Sequence, residues 1–224
     1  MNRLKTSIIL NIINVIFIIF ATIVMLCDFH FMTESNILDF PGVNDFQFFT
    51  VDSNILLGIA SIVFIVYEIL VIKNKEQDIP RWVRLFKYVA TVATSLTMII
   101  VVLFLGPVAP TGYFSLFVNG NLFFHFLCPL LGMITLLCFE NSKAYKFKEL
   151  FLGLLPTVIY GTYYLINVLV HMENGVVNSE YDWYGFAQGG VPSIIFSIVL
   201  MLISTLLIAI GLYFGNKHLF KTKE

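Results

Sequence analysis

The sequence predicts an all-α membrane protein, one domain over residues 1–224 built as a bundle of six transmembrane helices. Three observations predict it. Hydrophobic residues make up 58% of the chain and charged residues only 12%, with a mean hydropathy of +0.89; soluble domains carry about a quarter charged residues. Six apolar stretches are each long enough to cross roughly 30 Å of hydrocarbon as a helix. All 13 Lys and Arg residues fall in alternate connections, the pattern expected of a polytopic protein.

The first span is expected at about residues 7–27. Arg3 and Lys5 precede an apolar run from Ser7 to Cys27, so a signal peptide is the rival reading. Signal peptides have an apolar core of only about 7–15 residues and a small-residue cleavage site. This run is longer, ends in Val-Met-Leu-Cys, and places Leu26 where lipoprotein cleavage needs a small residue. Asn11 and Asn14, three apart, are expected to face the bundle. Residues 28–47 hold Asp28, Glu34, Asp39 and Asp45 but no Lys or Arg.

The second span, about 48–72, leads into KNKEQDIPRWVRLFK, a basic connection whose Trp82 and Phe86 suit interfacial anchors. The third, about 88–106, carries Thr91, Thr94, Ser95 and Met98 on one side. The uncharged PVAPTGYFSLFVNG then reads as turns. The fourth span is about 121–140, followed by Lys143, Lys146 and Lys148. The fifth, about 149–170, is expected to bend where Pro156 removes a backbone donor. Residues 171–190 are acidic and aromatic, and Asp182-Trp183-Tyr184 reads most simply as an interfacial aromatic belt. The sixth span is about 191–215, with NKHLFKTKE after it.

Two basic residues precede the first span, five follow the second, three the fourth and three the sixth; the other three connections hold none. Both termini are therefore expected to be cytoplasmic. The net charge of −1 conceals this segregation and offers nothing to nucleic acid. A bias toward Ile, Phe, Asn and Lys suits an AT-rich bacterial genome, which makes the bacterial cell membrane the expected location. Cys27, Cys128 and Cys138 have neither CxxC nor metal-ligand spacing. Cys128 and Cys138 share one helix about 15 Å apart, too far for a disulfide, and all three read as packing residues. Neither a cofactor nor a metal is expected.

Two polar stripes carry the candidate chemistry. In FFTVDSNILLGIASIVFIVYE, residues 48–68, the residues Thr50, Asn54, Leu57, Ser61, Phe64 and Glu68 fall on one helical face. Ile55, Leu56, Ile59, Ile62, Val63, Ile65 and Val66 occupy the others. Lipid gives a polar stripe no hydrogen-bond partner, so it must face a protein interior or a wet cavity. The fourth span repeats the pattern with Asn121, His125, Cys128, Gly132 and Thr135. Four residues below Asn121, His125 lies about 6 Å deeper. Both spans enter from the outer side, where the fifth ends with Tyr160, Tyr163, Tyr164, Asn167 and His171. Three helices thus bring polar groups to one depth.

A neutral histidine beside a hydroxyl is the minimum for nucleophilic acyl transfer, because the imidazole removes the hydroxyl proton. Asn54, or Tyr160, Tyr164 or Asn167, would then serve substrate or oxyanion. The plainer reading has His125 hydrogen-bonding within the bundle and Thr50 capping its helix. A site of His30, His125 and His171 has no HExxH or paired spacing behind it. Glu68 suits an anchor paired with a loop Lys or Arg better than a proton relay. A small-solute transporter, or a lipid- or partner-binding bundle, is the alternative to an enzyme.

Phe49-Thr50 with Ser53-Asn54 resembles the Tyr/Phe-Thr segment of the androgen-induced and androgen-dependent family of membrane hydrolases. It is closer still to their bacterial relatives, in which Phe-Thr-x-x-Ser-Asn recurs. His125 followed by Pro129 is similar to the His-x-x-x-Pro of the fourth helix there. Pro156, Tyr160 and Asp182-Trp183-Tyr184-Gly185-Phe186 resemble the fifth helix and last outer loop. The resemblance implies a six-helix bundle that hydrolyses fatty-acid esters of hydroxy fatty acids. It further implies that Thr50 is the nucleophile and His125 the base, with a lipid-like or amphiphilic ester as substrate.

Overall fold

A computed structural model describes residues 2–32, 42–140, 145–178 and 180–221. Glu34, Asp39 and Lys143 lie outside them. Six helices run back and forth: α1 (Asn2–Leu26), α2 (Phe49–Ile72), α3 (Arg81–Val108), α4 (Asn119–Phe139), α5 (Phe147–Val170) and α6 (Gly190–Lys221). Each is long and apolar enough to cross a membrane, and the chain is an all-α, multi-pass membrane bundle. The loops without Lys or Arg define its acidic end and the others its basic end.

α3 is the central element. Every residue from Ala90 to Met98 is buried, although four of them are Thr or Ser. Those hydroxyls bond back to carbonyls of their own helix: Thr91 to Lys87 O, Thr94 to Ala90 O, Ser95 to Thr91 O and Thr97 to Thr94 O. A hydroxyl satisfied this way needs no water. α3 also begins seven residues before its expected start. Pro80 precedes it with φ −57°, and a proline with fixed φ and no N–H suits a helix start. Arg81, Arg84 and Lys87 are therefore helical, and Trp82, 54% exposed, stands outward as an anchor should.

The stripes face inward as their spacing requires. Asn54, Leu57, Ser61, Phe64 and Glu68 are buried on α2, whereas Ile59, Ile62 and Val66 are exposed. Ser7, Asn11 and Asn14 are buried on α1, and His125, Cys128, Gly132 and Thr135 on α4. Gly132 brings α4 close to α2: a Cβ there would stand 3.0 Å from Leu57 Cδ2, so a side chain at this position would require Leu57 to shift.

Helix geometry departs from α at informative places. Val101–Leu105, Phe123–Leu127 and Thr135–Phe139 are π-helical. α5 starts as a 3-10 helix, Phe147–Leu154, and becomes α-helical over Leu155–Val170. Pro156 sits in the first turn of that α segment, where its missing N–H breaks no bond. At the acidic end Asn119, at φ 50°, accepts the Phe31 and Met32 N–H groups on Oδ1 at 3.0 and 2.8 Å. A short antiparallel hairpin pairs β1 (Met172–Glu173) with β2 (Val176–Val177) around Asn174-Gly175. Both turn residues have positive φ, the conformation that an Asn-Gly hairpin turn selects.

Candidate functional site

A cavity of about 350 Å³ lies in the acidic-end half of the bundle, and all six helices contribute to its wall. The volume is at the small end of ligand sites, which run roughly 300–1,000 Å³. Thr50 and His125 both line it, as do Tyr160 and Tyr164. Asn54 and Asn167 do not.

Thr50 is the second residue of α2. The chain is turned into the helix by Phe48, which is extended, and by the Phe49 N–H donating to the Tyr184 hydroxyl at 2.9 Å. Burial pushes the Tyr184 hydroxyl up to about 12, so at neutral pH it remains a protonated acceptor. Thr50 N–H belongs to the first turn, where donors have no intrahelical partner. Among the described residues neither it nor Thr50 Oγ1 has a hydrogen-bond partner.

His125 lies in the π-helical turn Phe123–Leu127, a geometry frequent at functional sites. It is 4% exposed, and its Nδ1 is 2.9 Å from Leu116 O. A carbonyl only accepts, so Nδ1 carries the proton and Nε2 keeps its lone pair. Among the described residues Nε2 has no partner. No hydrogen bond joins Thr50 to His125; they share the cavity wall without touching through a proton.

The other expected site residues are committed elsewhere. Asn54 Nδ2 donates to Thr50 O at 2.8 Å and to Phe124 O at 3.0 Å. It therefore joins the Thr50 turn to the residue before His125 rather than reaching into the cavity. Tyr160 donates to Gln47 O and accepts the Trp183 indole N–H at 3.0 Å. Tyr164 donates to Asp182 Oδ1, while Asp182 Oδ2 accepts the Ala187 N–H at 3.0 Å. Asn167 Nδ2 donates to Tyr181 O at 2.8 Å. The ring of His171 stacks on Tyr181, centroids 3.6 Å apart. Among the described residues no group of three His, Cys, Asp or Glu side chains is placed to hold a metal.

Asp182-Trp183-Tyr184 is thus more than a surface belt. Asp182 is buried and holds its loop against α5, and Trp183, Tyr184 and Phe186 line the cavity. Nothing in the sequence separates this run from an ordinary aromatic girdle, because the separation depends on Tyr164 being there to donate. Leu116 O, the partner of His125, is a backbone atom and leaves no side-chain signal.

A second polar centre lies toward the basic end. Lys87, read from the sequence as part of the basic connection, is fully buried. Its Nζ donates to Asn11 Oδ1 and to Ser61 Oγ, each at 2.6 Å, and lies 3.8 Å from Glu140 Oε1. Asn11 Nδ2 donates to the same Glu140 oxygen at 2.7 Å. Glu68 is also fully buried beside this group, near Ser7. Among the described residues neither of its carboxylate oxygens has a hydrogen-bond partner, and no loop Lys or Arg pairs with it.

No family model, curated protein or solved structure matches the chain.

Proposed function

We propose that the protein is an integral membrane hydrolase of lipid-like esters, with Thr50 as nucleophile and His125 as general base. The observation that carries this reading is one cavity lined by both residues, in which Leu116 O leaves the His125 lone pair on Nε2. The resemblance of the Phe-Thr-x-x-Ser-Asn and His-x-x-x-Pro segments points the same way. The missing hydrogen bond between them is compatible with it, because catalytic contacts often tighten only with substrate bound.

The chemistry runs in two halves. Thr50 Oγ1 attacks the ester carbonyl carbon while its proton passes to His125 Nε2. The tetrahedral oxyanion collapses, the C–O bond to the alcohol breaks, and the alcohol leaves with the proton from Nε2. Water then attacks the acyl-threonine with His125 again as base, and the acid is released as Thr50 regains its proton. The Thr50 N–H is the oxyanion donor this reading favours: it has no partner, and the positive end of the α2 dipole surrounds it. Asn54, Tyr160 and Tyr164 hold the site's shape. The acidic end faces outward, so substrate comes from the outer leaflet of the bacterial cell membrane.

The non-catalytic alternative, a small transporter, draws on the Lys87 centre, since buried charges in a membrane bundle often mark ion paths. A long-chain fluorophosphonate separates the two. It should label Thr50 without added metal, and labelling should vanish in both Thr50→Ala and His125→Ala, because nucleophile and base act as a unit. An adduct elsewhere, or none on folded protein, leaves the non-catalytic reading standing.

A further inference from the structure

The charge of the cavity lining runs against one part of the resemblance. A fatty-acid ester of a hydroxy fatty acid carries a free carboxylate, which must find a cation or water when it is taken out of bulk solvent. Among the described residues no Lys or Arg lines this cavity. The three acidic-end connections hold none either, since all 13 Lys and Arg belong to the basic-end connections and the helix ends beside them. Among the described residues the charged side chains in the lining are two carboxylates, Asp28 after α1 and Asp45 before α2. His30 joins them, its Nε2 3.6 Å from Asp28 Oδ1.

Beside the carboxylates stands an aromatic wall. Phe48 packs edge-on against Tyr184 at 5.7 Å and Trp183 edge-on against Tyr164 at 5.1 Å, while Phe49 is tilted against Tyr160 at 5.1 Å. Aromatic faces with carboxylates nearby suit an alkylammonium group, which needs no hydrogen bonds of its own. The deeper wall is aliphatic: Ile198, Met201 and Leu202 of α6, and Leu96 and Ile100 of α3. Met201 lies eleven residues into α6, about 16 Å from its start. The buried His125 lines the same cavity, and among the described residues its Nε2 has no partner. Carboxylates, aromatic rings, Thr50 with His125 and aliphatic side chains thus line one cavity and offer surfaces for an amphiphile's cationic head, ester and chain.

We infer that the cavity takes an ester amphiphile with an ammonium head and excludes one with a free carboxylate. The ester in this statement rests on the hydrolase reading; the sign of the head rests on the cavity alone.

Binding tests the head group without using catalysis. Trp82→Phe leaves Trp183, in the cavity wall, as the sole tryptophan of the full-length protein. In dodecyl maltoside micelles its emission is titrated with three quenchers of equal chain length: ω-bromododecyl trimethylammonium, ω-bromododecyl maltoside and ω-bromododecyl sulfate. The cation should half-quench at a micellar mole fraction at least about tenfold below the sulfate, with the maltoside between them. Choline, which lacks the chain, should displace the cation only at about a hundredfold higher concentration. In Asp28→Asn/Asp45→Asn the cation should fall to within about twofold of the maltoside. An unchanged maltoside titration shows that this variant is folded; if it is not, each single Asn variant should lose part of the preference.

Sulfate binding as tightly as the cation overturns the inference. So does a preference that survives both Asn substitutions, or no quenching by any probe. The preference should persist in Thr50→Ala. If fluorophosphonate fails to label Thr50 while the cation preference holds, the hydrolase reading falls and the head-group inference stands.

Discussion

Asn54 and Phe124 are joined across two helices: the Asn54 amide donates to the Phe124 carbonyl at 3.0 Å while also donating to Thr50 O at 2.8 Å. One buried side chain thereby sets the first turn of α2 against the π-helical turn of α4, and so sets Thr50 relative to His125. Because the π turn leaves carbonyls without their usual partners, an outside donor is matched to what that turn lacks.

The first prediction concerns this tie. Asn54→Leu keeps the volume roughly but removes both bonds, leaving two buried carbonyls to other partners. Stability should fall by about 1–3 kcal/mol in detergent unfolding. Fluorophosphonate labelling of Thr50 should slow by about tenfold or more, since a small misplacement of reacting groups is costly. Labelling at the original rate would show that Asn54 merely packs.

His125 should be separable from folding. His125→Ala removes one bond, to Leu116 O, and polar contacts inside membrane bundles contribute only about 0.6–2 kcal/mol. The variant should therefore reach the membrane and purify as a single species while losing all labelling. If it aggregates instead, His125 is a structural residue and its proposed role loses support.

Lys87 should behave in the opposite way. Lys87→Met leaves Glu140 and Asn11 Oδ1 buried without their cation, and breaking a buried ion pair costs about 3–5 kcal/mol. Lys87→Met/Glu140→Gln should regain at least half of that loss, because the second substitution removes the stranded charge. Equal unfolding temperatures for the single and double variants would mean that the two groups do not interact.

Asp182 holds the loop that lines the cavity through Tyr164 and the Ala187 N–H. Asp182→Ala should loosen that loop without unfolding the bundle. Trp183 emission in the Trp82→Phe background should shift to longer wavelength as water reaches the indole. An unchanged spectrum would show that aromatic packing alone keeps the loop in place.

Topology follows from the charge segregation. A reporter active only in the cytoplasm should work when fused after Lys75 and fail when placed at Asn174, the tip of the β-hairpin. Activity at Asn174 would reverse the proposed orientation.

Six spans and the inward faces of α1, α2 and α4 were legible in the sequence because helical periodicity is local: which side of a helix is polar depends only on residues three and four apart. Asn11, Asn14, Asn54, Ser61 and Glu68 were placed inside on that ground alone, and Thr50 and His125 were brought to one depth by counting from the same side. What a buried group meets is a different matter. Lys87 stands at the edge of an apolar run, where a lysine can equally reach toward water; Asn11 of α1, Ser61 of α2 and Glu140 just past α4 keep it inside. Asp182 becomes a buried acceptor only because Tyr164 is opposite it. His125 obtains its tautomer from a carbonyl nine residues earlier, presented by a loop whose composition says only that it turns. Periodicity assigns a residue to a face, and only the packing of other helices decides which donor or acceptor lies across from it.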